Sequence, residues 1–293
     1  TFPTSISSLT SNGFEVTVAD VEENGFNLDP EALRQQIRPD TKVILVTHFL
    51  GFPAAMKEIR KIADEFGLYV IQDACETMNM KIEGHDLIEF GDVVTWSFYH
   101  PHHMSSYGGG AVIANSKDQY LLAESLSHWG RACNCQVPNC ECPAPSGMNH
   151  NFWYERMGFN VAMSELNAAF GRFKLSEFHQ IESARNENYQ IYFKALADIP
   201  GIQVYPQPDV GVSPFVFPVT LLRHDLREIE KKLGDQGVEI RTLMGGSITN
   251  HPGFQNLTTD SLKNTRKIGD TSFFVGIHQD IPREDVKAVA EIL

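Results

Sequence analysis

Apolar and polar positions along the 293-residue chain alternate in two rhythms. Short β-rich runs (FEVTVADV, KVILVTHF, LYVIQDA) are separated by stretches with apolar residues at helical spacing, PEALRQQI and MKEIRKIADEFG. That order predicts a mostly parallel sheet with crossover helices. Two further apolar runs, VVTWSFY (93–99) and GGAVIAN (109–115), have the composition of fully buried strands. A helical pattern follows over about 118–129, then a loop rich in Cys, Pro and Asn over 131–151. From Val161, apolar residues recur at helical spacing (Met163, Leu166, Ala169, Phe170, Phe173) into a long helical region that ends near Asp198. After Pro200 the pattern changes to short strands (IQVYP, FVFPVTLL, VEIRTL, SFFVGI) with one helix, DLREIEKKLGDQG, as a smaller α+β unit would have. The expected division is a large α/β domain over 1–180, including the Cys-rich loop, and a linker helix with a small domain over 181–293.

Composition narrows the function classes. Twenty-four Lys and Arg against 37 Asp and Glu leave a formal charge of -13. A field of that sign repels phosphate backbones, so nucleic acid is not the expected partner, and an anionic ligand needs a local positive site. The longest apolar stretch, 43–53, is interrupted by Thr47, His48 and Gly51 and falls short of the roughly 20 residues that span a bilayer. The first residues lack a basic region followed by an apolar run, so no signal peptide is expected and the cytoplasm is the default. The chain opens without Met and enters at once what looks like the middle of an α/β domain, which marks it as an expected fragment.

Candidate chemistry gathers at two places. Asp73 ends the run LYVIQD, and ligands of open α/β sheets collect at the carboxyl ends of strands. A carboxylate there either holds a protonated ring nitrogen or caps the following turn. Another strand ends in a His-rich turn, Ser97-Phe-Tyr-His-Pro-His-His-Met-Ser, that runs into glycines. His100, His102 and His103 on an extended loop cannot easily all face one ion, which disfavours a metal site there. His48 can approach the same edge from its own strand end, and Cys75, beside Asp73, is the kind of small residue that usually packs. The second place is C-x-C-x4-C-x-C, formed by Cys133, Cys135, Cys140 and Cys142. Four thiolates are the ligand set of an iron–sulfur cluster or a structural zinc, with uncoordinated thiols or disulfides as the plainer alternative.

Five ordered blocks resemble the DegT/StrS group of pyridoxal phosphate-dependent, fold type I sugar aminotransferases. They are TFPTSISSLTSNGFEVTVADVEENGFNLDPEAL, TKVILVTHFLGFPAAM, VIQDACE, the SFYHPHHM turn and GFNVAMSELNAAFGRFKL. The family's usual chain carries a further large-domain segment before this start, with a turn that binds the cofactor phosphate. By the resemblance, Asp73 pairs with the pyridine nitrogen and Ser97 supplies a phosphate-binding hydroxyl. Glu76 stands where the aminotransferases usually have a Gln near the ring hydroxyl. Asn160, in Gly-Phe-Asn, matches a residue that reaches the phosphate of a neighbouring subunit's cofactor, which implies a homodimer. Where the aminotransferases place their cofactor-binding lysine, five residues after the Ser, this chain has His102, and no lysine lies between Lys81 and Lys117. Imidazole cannot anchor the cofactor aldehyde stably but can still remove and return a proton. Phe98 to Ser105 resembles the corresponding turn of the family's nucleotide-sugar 3-dehydrases, although the acidic residue that often precedes the last two glycines is Gly108 here.

The resemblance therefore implies pyridoxamine phosphate held without a covalent bond and a nucleotide-linked 4-keto-6-deoxyhexose as substrate. The reaction implied is loss of the sugar's 3-hydroxyl with His102 as base, in the making of a dideoxysugar for a surface polysaccharide. Some of these enzymes carry a [2Fe–2S] cluster in the loop that matches WGRACNC, served by an iron–sulfur flavin reductase. Two alternatives stay open: a cluster-free enzyme that regenerates its amine by transamination, and a non-catalytic paralogue.

Overall fold

The fold is a computed structural model that describes residues 1–133, 144, 148–209, 211, 214–223, 225–259 and 262–293. In chain order its elements are α1 (Pro3–Thr10), β1 (Thr17–Val18), α2 (Pro30–Gln36), β2 (Val43–Thr47), α3 (Met56–Phe66) and β3 (Tyr69–Asp73). The short hairpin β4 (Lys81–Ile82) and β5 (His85–Asp86) precedes β6 (Val93–Ser97), β7 (Gly110–Ala114) and α4 (Lys117–Ser127). Then come α5 (Glu165–Ser176), α6 (Phe178–Leu196), β8 (Ile202–Val204), β9 (Phe217–Leu221), α7 (Leu226–Gly234) and β10 (Arg241–Thr242). The chain closes with β11 (Thr258–Thr259), α8 (Lys263–Thr271), β12 (Ser272–Val275) and α9 (Arg283–Ile292).

Alternation of strand and helix produces the sheet that carries the chemistry. Its order is β2-β3-β6-β7, with β2, β3 and β6 parallel and β7 antiparallel to β6. The helix between β2 and β3 forms because Met56, Ile59, Ile62 and Ala63 fall on one face, and all four are buried against Ile44, Val46 and Val70. Burying each of the three larger side chains contributes roughly 1.5–3 kcal/mol. Gly67 ends the helix in the left-handed conformation, φ 66°, which costs glycine least. Val94, which the register puts on the same face as Val46 and Val70, packs with Ala74, Met80, Leu87 and Phe178.

A second sheet, β10-β12-β9-β8, is antiparallel. It packs Phe217, Val219, Leu221, Phe273 and Val275 against Tyr189, Tyr192 and Leu196 of α6 and against α7 and α9. A third apolar cluster, with Phe26, Leu50, Tyr205, Phe215 and Leu243, draws on both halves of the chain. Among the described residues no helix is long and apolar enough to cross a membrane.

Three sequence expectations change. The run FEVTVADV yields only the two-residue β1, paired in parallel with β11. GGAVIAN forms β7 as expected, but the strand is not buried: Val112 and Ile113 are exposed, because β7 pairs only with β6 among the described residues. The region after Pro200 contains α7, α8 and α9 rather than one helix. The polar sequences KNTRKIGDT and REDVKAVAEI each bury a single narrow stripe, which apolar counting passes over.

Candidate active site

Parallel pairing aligns the ends of three strands. Thr47 of β2 lies opposite Asp73 of β3, which lies opposite Thr95 of β6. His48, Asp73 and Ser97 therefore share one sheet edge, where ligands of such sheets bind.

Asp73 is half-buried and held by two donors. Ser5 Oγ donates to its Oδ2 at 2.7 Å, and the Cys75 amide donates to its Oδ1 at 3.2 Å. A carboxylate has about four acceptor positions, so it retains capacity for a further N–H. Burial and the neighbouring Asp73 push the Cys75 thiol pKa up, in keeping with an inert packed sulfur.

Glu76 is almost fully buried and accepts the Leu50 amide at 2.5 Å. Burial raises its pKa to about 7, with the Asp73 charge acting the same way and the Leu50 bond opposing. Leu50 itself is left-handed, φ 56°, and Gly51 follows at φ 80°. A Cβ on Gly51 would lie 2.7 Å from the Phe215 amide and 2.9 Å from the Glu76 carbonyl, so this turn requires glycine.

His48 is completely buried and fully bonded. The Ala54 amide donates to its Nδ1 at 3.2 Å, which leaves Nε2 to donate to Gln72 Oε1 at 3.0 Å. Burial lowers its pKa to about 4. His48 is thus a neutral structural histidine rather than a group that approaches a ligand.

His102 sits in a hydrogen-bonded turn, its amide donating to the Tyr99 carbonyl at 3.0 Å. The turn is tied down by the Ser106 amide to the Phe98 carbonyl at 2.9 Å, by Ser106 Oγ to the Gly108 carbonyl at 2.6 Å, and by Asn167 Nδ2 of α5 to the Ser106 carbonyl at 2.5 Å. Without the acidic residue, the turn closes through glycines 108 and 109, both at positive φ. The imidazole is half-buried, edge-on to Phe215 at 5.4 Å, and its buried Nδ1 has no hydrogen-bond partner. Burial lowers its pKa; the Arg185 charge acts the same way, while the Ser97 backbone and Asp73 oppose. A ring kept neutral with a bare nitrogen can accept a proton near neutral pH.

The remaining expected residues divide. Ser97 Oγ accepts the Tyr99 amide at 3.1 Å at the start of the same turn. Asn160 is exposed, bridges antiparallel to His128, and shares no hydrogen bond with Asp73, Ser97 or His102 among the described residues. Cys133 is half-buried with its sulfur 3.6 Å from His150 Nδ1, whereas Cys135, Cys140 and Cys142 lie outside the described residues. No group of His, Cys, Asp and Glu that could hold a metal ion occurs among the described residues. A cavity of about 450 Å³ between β1 and β2 has Ser5, Thr47 and Phe49 in its lining, beside Asp73.

Sequence reasoning missed Ser5, Leu50, Arg185 and Phe215. Only Arg185 left a signal, as a charged residue in the buried stripe Ile181, Arg185, Asn188, Tyr189, Tyr192 and Leu196 of α6.

A strand-end carboxylate and a lysine-free histidine turn stand at one sheet edge, and neither lines that cavity. The chain belongs to the DegT/DnrJ/EryC1/StrS aminotransferase family, whose profile matches residues 1–293. It has the fold of the pyridoxal phosphate-dependent aminotransferases. Among solved structures, Escherichia coli GDP-4-keto-6-deoxy-D-mannose-3-dehydratase with bound hydrated PLP superposes with a TM-score of 0.89 at 23% identity, over 100% of this chain and 77% of that one. Among curated relatives, dTDP-4-dehydro-2,6-dideoxy-D-glucose 3-dehydratase of Saccharopolyspora spinosa is 31% identical over 99% of this chain and 66% of its own length. Lipopolysaccharide biosynthesis protein RfbH of Salmonella typhimurium is 28% identical over 98% of this chain and 70% of its own. The chain thus spans about two thirds of the length of these relatives.

Proposed function

We propose that this protein is a nucleotide-sugar 3-dehydratase that uses pyridoxamine phosphate and removes the 3-hydroxyl of a nucleotide-linked 4-keto-6-deoxyhexose. The observation that carries this reading is His102, half-buried with an unbonded Nδ1, at the position where the family's aminotransferases carry lysine. The names of the relatives, two of them 3-dehydratases, support the same reaction class and a place in surface polysaccharide synthesis.

The residues present fit the cofactor. Asp73 has acceptor capacity left for a pyridinium N–H, Ser97 stands at the mouth of the histidine turn, and Glu76, with a pKa near neutrality, can donate or accept at the ring hydroxyl. When bound, the ring supplies an electron sink next to the sugar's reacting carbons. Asp73 would keep the ring nitrogen protonated. His102, held toward its neutral form by burial, would take a proton from the cofactor's 4′-carbon and return it, and with no amine at this position the cofactor would be held without a covalent bond.

Asn160 belongs to the proposal as a contact to a second subunit's cofactor. Its surroundings support a homodimer: Trp129, Met157, Phe159, Val161 and Leu166 are large apolar residues exposed around it. Cys133, Cys135, Cys140 and Cys142 are proposed to hold a [2Fe–2S] cluster served by an iron–sulfur flavin reductase; the donor set of four thiolates supports this. A cytoplasmic setting, where thiols stay reduced, is part of the same reading.

Borohydride treatment of the pyridoxal phosphate-loaded protein tests the assignment. No pyridoxyl group should remain on the chain, and a reduced adduct on any lysine overturns it. Iron and sulfide analysis tests the cluster; zinc without iron removes the cluster and the reductase while leaving dehydration standing.

A further inference from the structure

The reading above leaves a buried cation unused. Arg185 on α6 is 1% exposed and has no carboxylate partner among the described residues. Its Nη2 donates to the Phe215 carbonyl, and its Nε has no partner. Burial lowers the guanidinium pKa to about 10, yet it remains charged at any working pH. A buried charge is costly to keep, so the single carbonyl that it grips is a contact the fold maintains against a penalty.

That carbonyl belongs to a residue fixed from the other side as well. The Phe215 amide donates to the Leu50 carbonyl at 2.8 Å, and Leu50, held left-handed, is itself bound through its amide to Glu76. Both backbone polar groups of Phe215 are therefore pinned, one by the turn after β2 and one by α6. Its side chain is nearly buried, in the apolar cluster shared with Leu50 and Tyr205. What the clamp presents is the ring, which stands perpendicular to the His102 imidazole (87°, centroids 5.4 Å apart) and tilted to His103 at 6.2 Å. An edge-to-face contact has a preferred geometry, so a fixed ring restricts the rotation of its neighbour and denies it water on that side.

We propose that Phe215 is a positioning residue for His102: the backbone clamp of Leu50 and Arg185 fixes the ring, and the ring holds the imidazole in one orientation against a dry wall. The inference rests on the reading of His102 as the group that moves the proton. The charged groups that reach the imidazole are Asp73 on β3, which favours its protonation, and Arg185 on α6, which opposes it; Phe215 itself carries no charge. A shift on changing Phe215 therefore reports orientation and hydration rather than a lost charge.

The test follows the ring of His102 directly. Full-length protein labelled at histidine Cε1 is titrated by NMR without cofactor and again with pyridoxamine phosphate, and the His102 signal is identified by its loss in His102→Asn. In Phe215→Ala the His102 midpoint should rise toward the ordinary imidazole value by about half a unit or more. Phe215→Tyr, which keeps the ring, should restore it. If Phe215→Ala fails to fold, as far-ultraviolet dichroism will tell, Phe215→Leu retains apolar volume without the ring and carries the test. An unmoved His102 midpoint in the folded ring-less variant overturns the proposal, whatever the turnover. A moved midpoint in a protein that dehydrates no sugar leaves the positioning role standing and overturns the functional reading instead.

Discussion

The turn after β2 and the turn after β6 each place a histidine at the same sheet edge, and they treat it in opposite ways. His48 has both ring nitrogens bonded, to Gln72 and to the Ala54 amide, and no exposed surface. His102 is also shifted toward the neutral form, but it keeps one buried nitrogen without a partner and stands against an aromatic ring. Burial alone thus does not separate a structural histidine from a chemical one. Hydrogen-bond satisfaction does, because a lone pair already engaged cannot take a proton without breaking that bond.

The largest expected effect breaks the comparison at the second turn. His102→Asn should lower kcat by roughly 10²–10⁴-fold, the usual consequence of a lost general base, with the urea midpoint nearly unchanged. Wild-type turnover in that variant would show that another group moves the proton. At the first turn the ledger reverses. His48→Ala orphans the Gln72 side-chain oxygen and the Ala54 amide and should cost roughly 2–5 kcal/mol in urea unfolding, with kcat of the folded protein changed far less than by His102→Asn.

Two pH dependences sharpen the contrast. His48 has its pKa depressed from 6.5 to about 4 in the fold, so the unfolded chain binds its proton first as pH falls. The stability it allows is full above pH 6.5 and is lost progressively down to about pH 4, on the order of 3 kcal/mol, and this slope should vanish in His48→Gln. Glu76 behaves oppositely. Its pKa is raised from 4.5 to about 7, so its contribution is full below pH 4.5 and is lost as pH rises through 7. Glu76→Gln should therefore gain stability relative to wild type between those values, by up to about 3 kcal/mol in urea unfolding, and a flat difference would refute the burial of a neutral carboxyl. The smallest effect belongs to the frame of the second turn. Ser106→Ala removes the bond to the Gly108 carbonyl and should cost about 1 kcal/mol of stability, with a loss of kcat smaller than that of His102→Asn.

The place of Asp73 and Ser97 at strand ends is legible in the sequence because the apolar runs before them are local and continuous, and the sheet pairing brings those ends to one edge. His102 stands out only through the family resemblance, and the roles of all three belong to the proposal. The short strands after Pro200 are legible for the same reason, their antiparallel pairing is not, and α8 and α9 escape because each hides a thin apolar stripe in a polar sequence. His48 was placed at the right edge but given the wrong prospect, since its partner Gln72 is a residue of the neighbouring strand.

What the sequence determined by itself is what depends on neighbours along the chain: the alternation of strand and helix, the histidine five residues after Ser97, and the family to which such blocks belong. What only the tertiary structure decided is the state of each group at the edge. Whether a histidine is satisfied or bare, whether Glu76 is neutral, and why a leucine is held left-handed all turn on Gln72, Leu50, Arg185 and Phe215, contributed by separate elements. Desolvation and hydrogen-bond satisfaction are set by whatever surrounds an atom in space, and no periodicity along the chain encodes that.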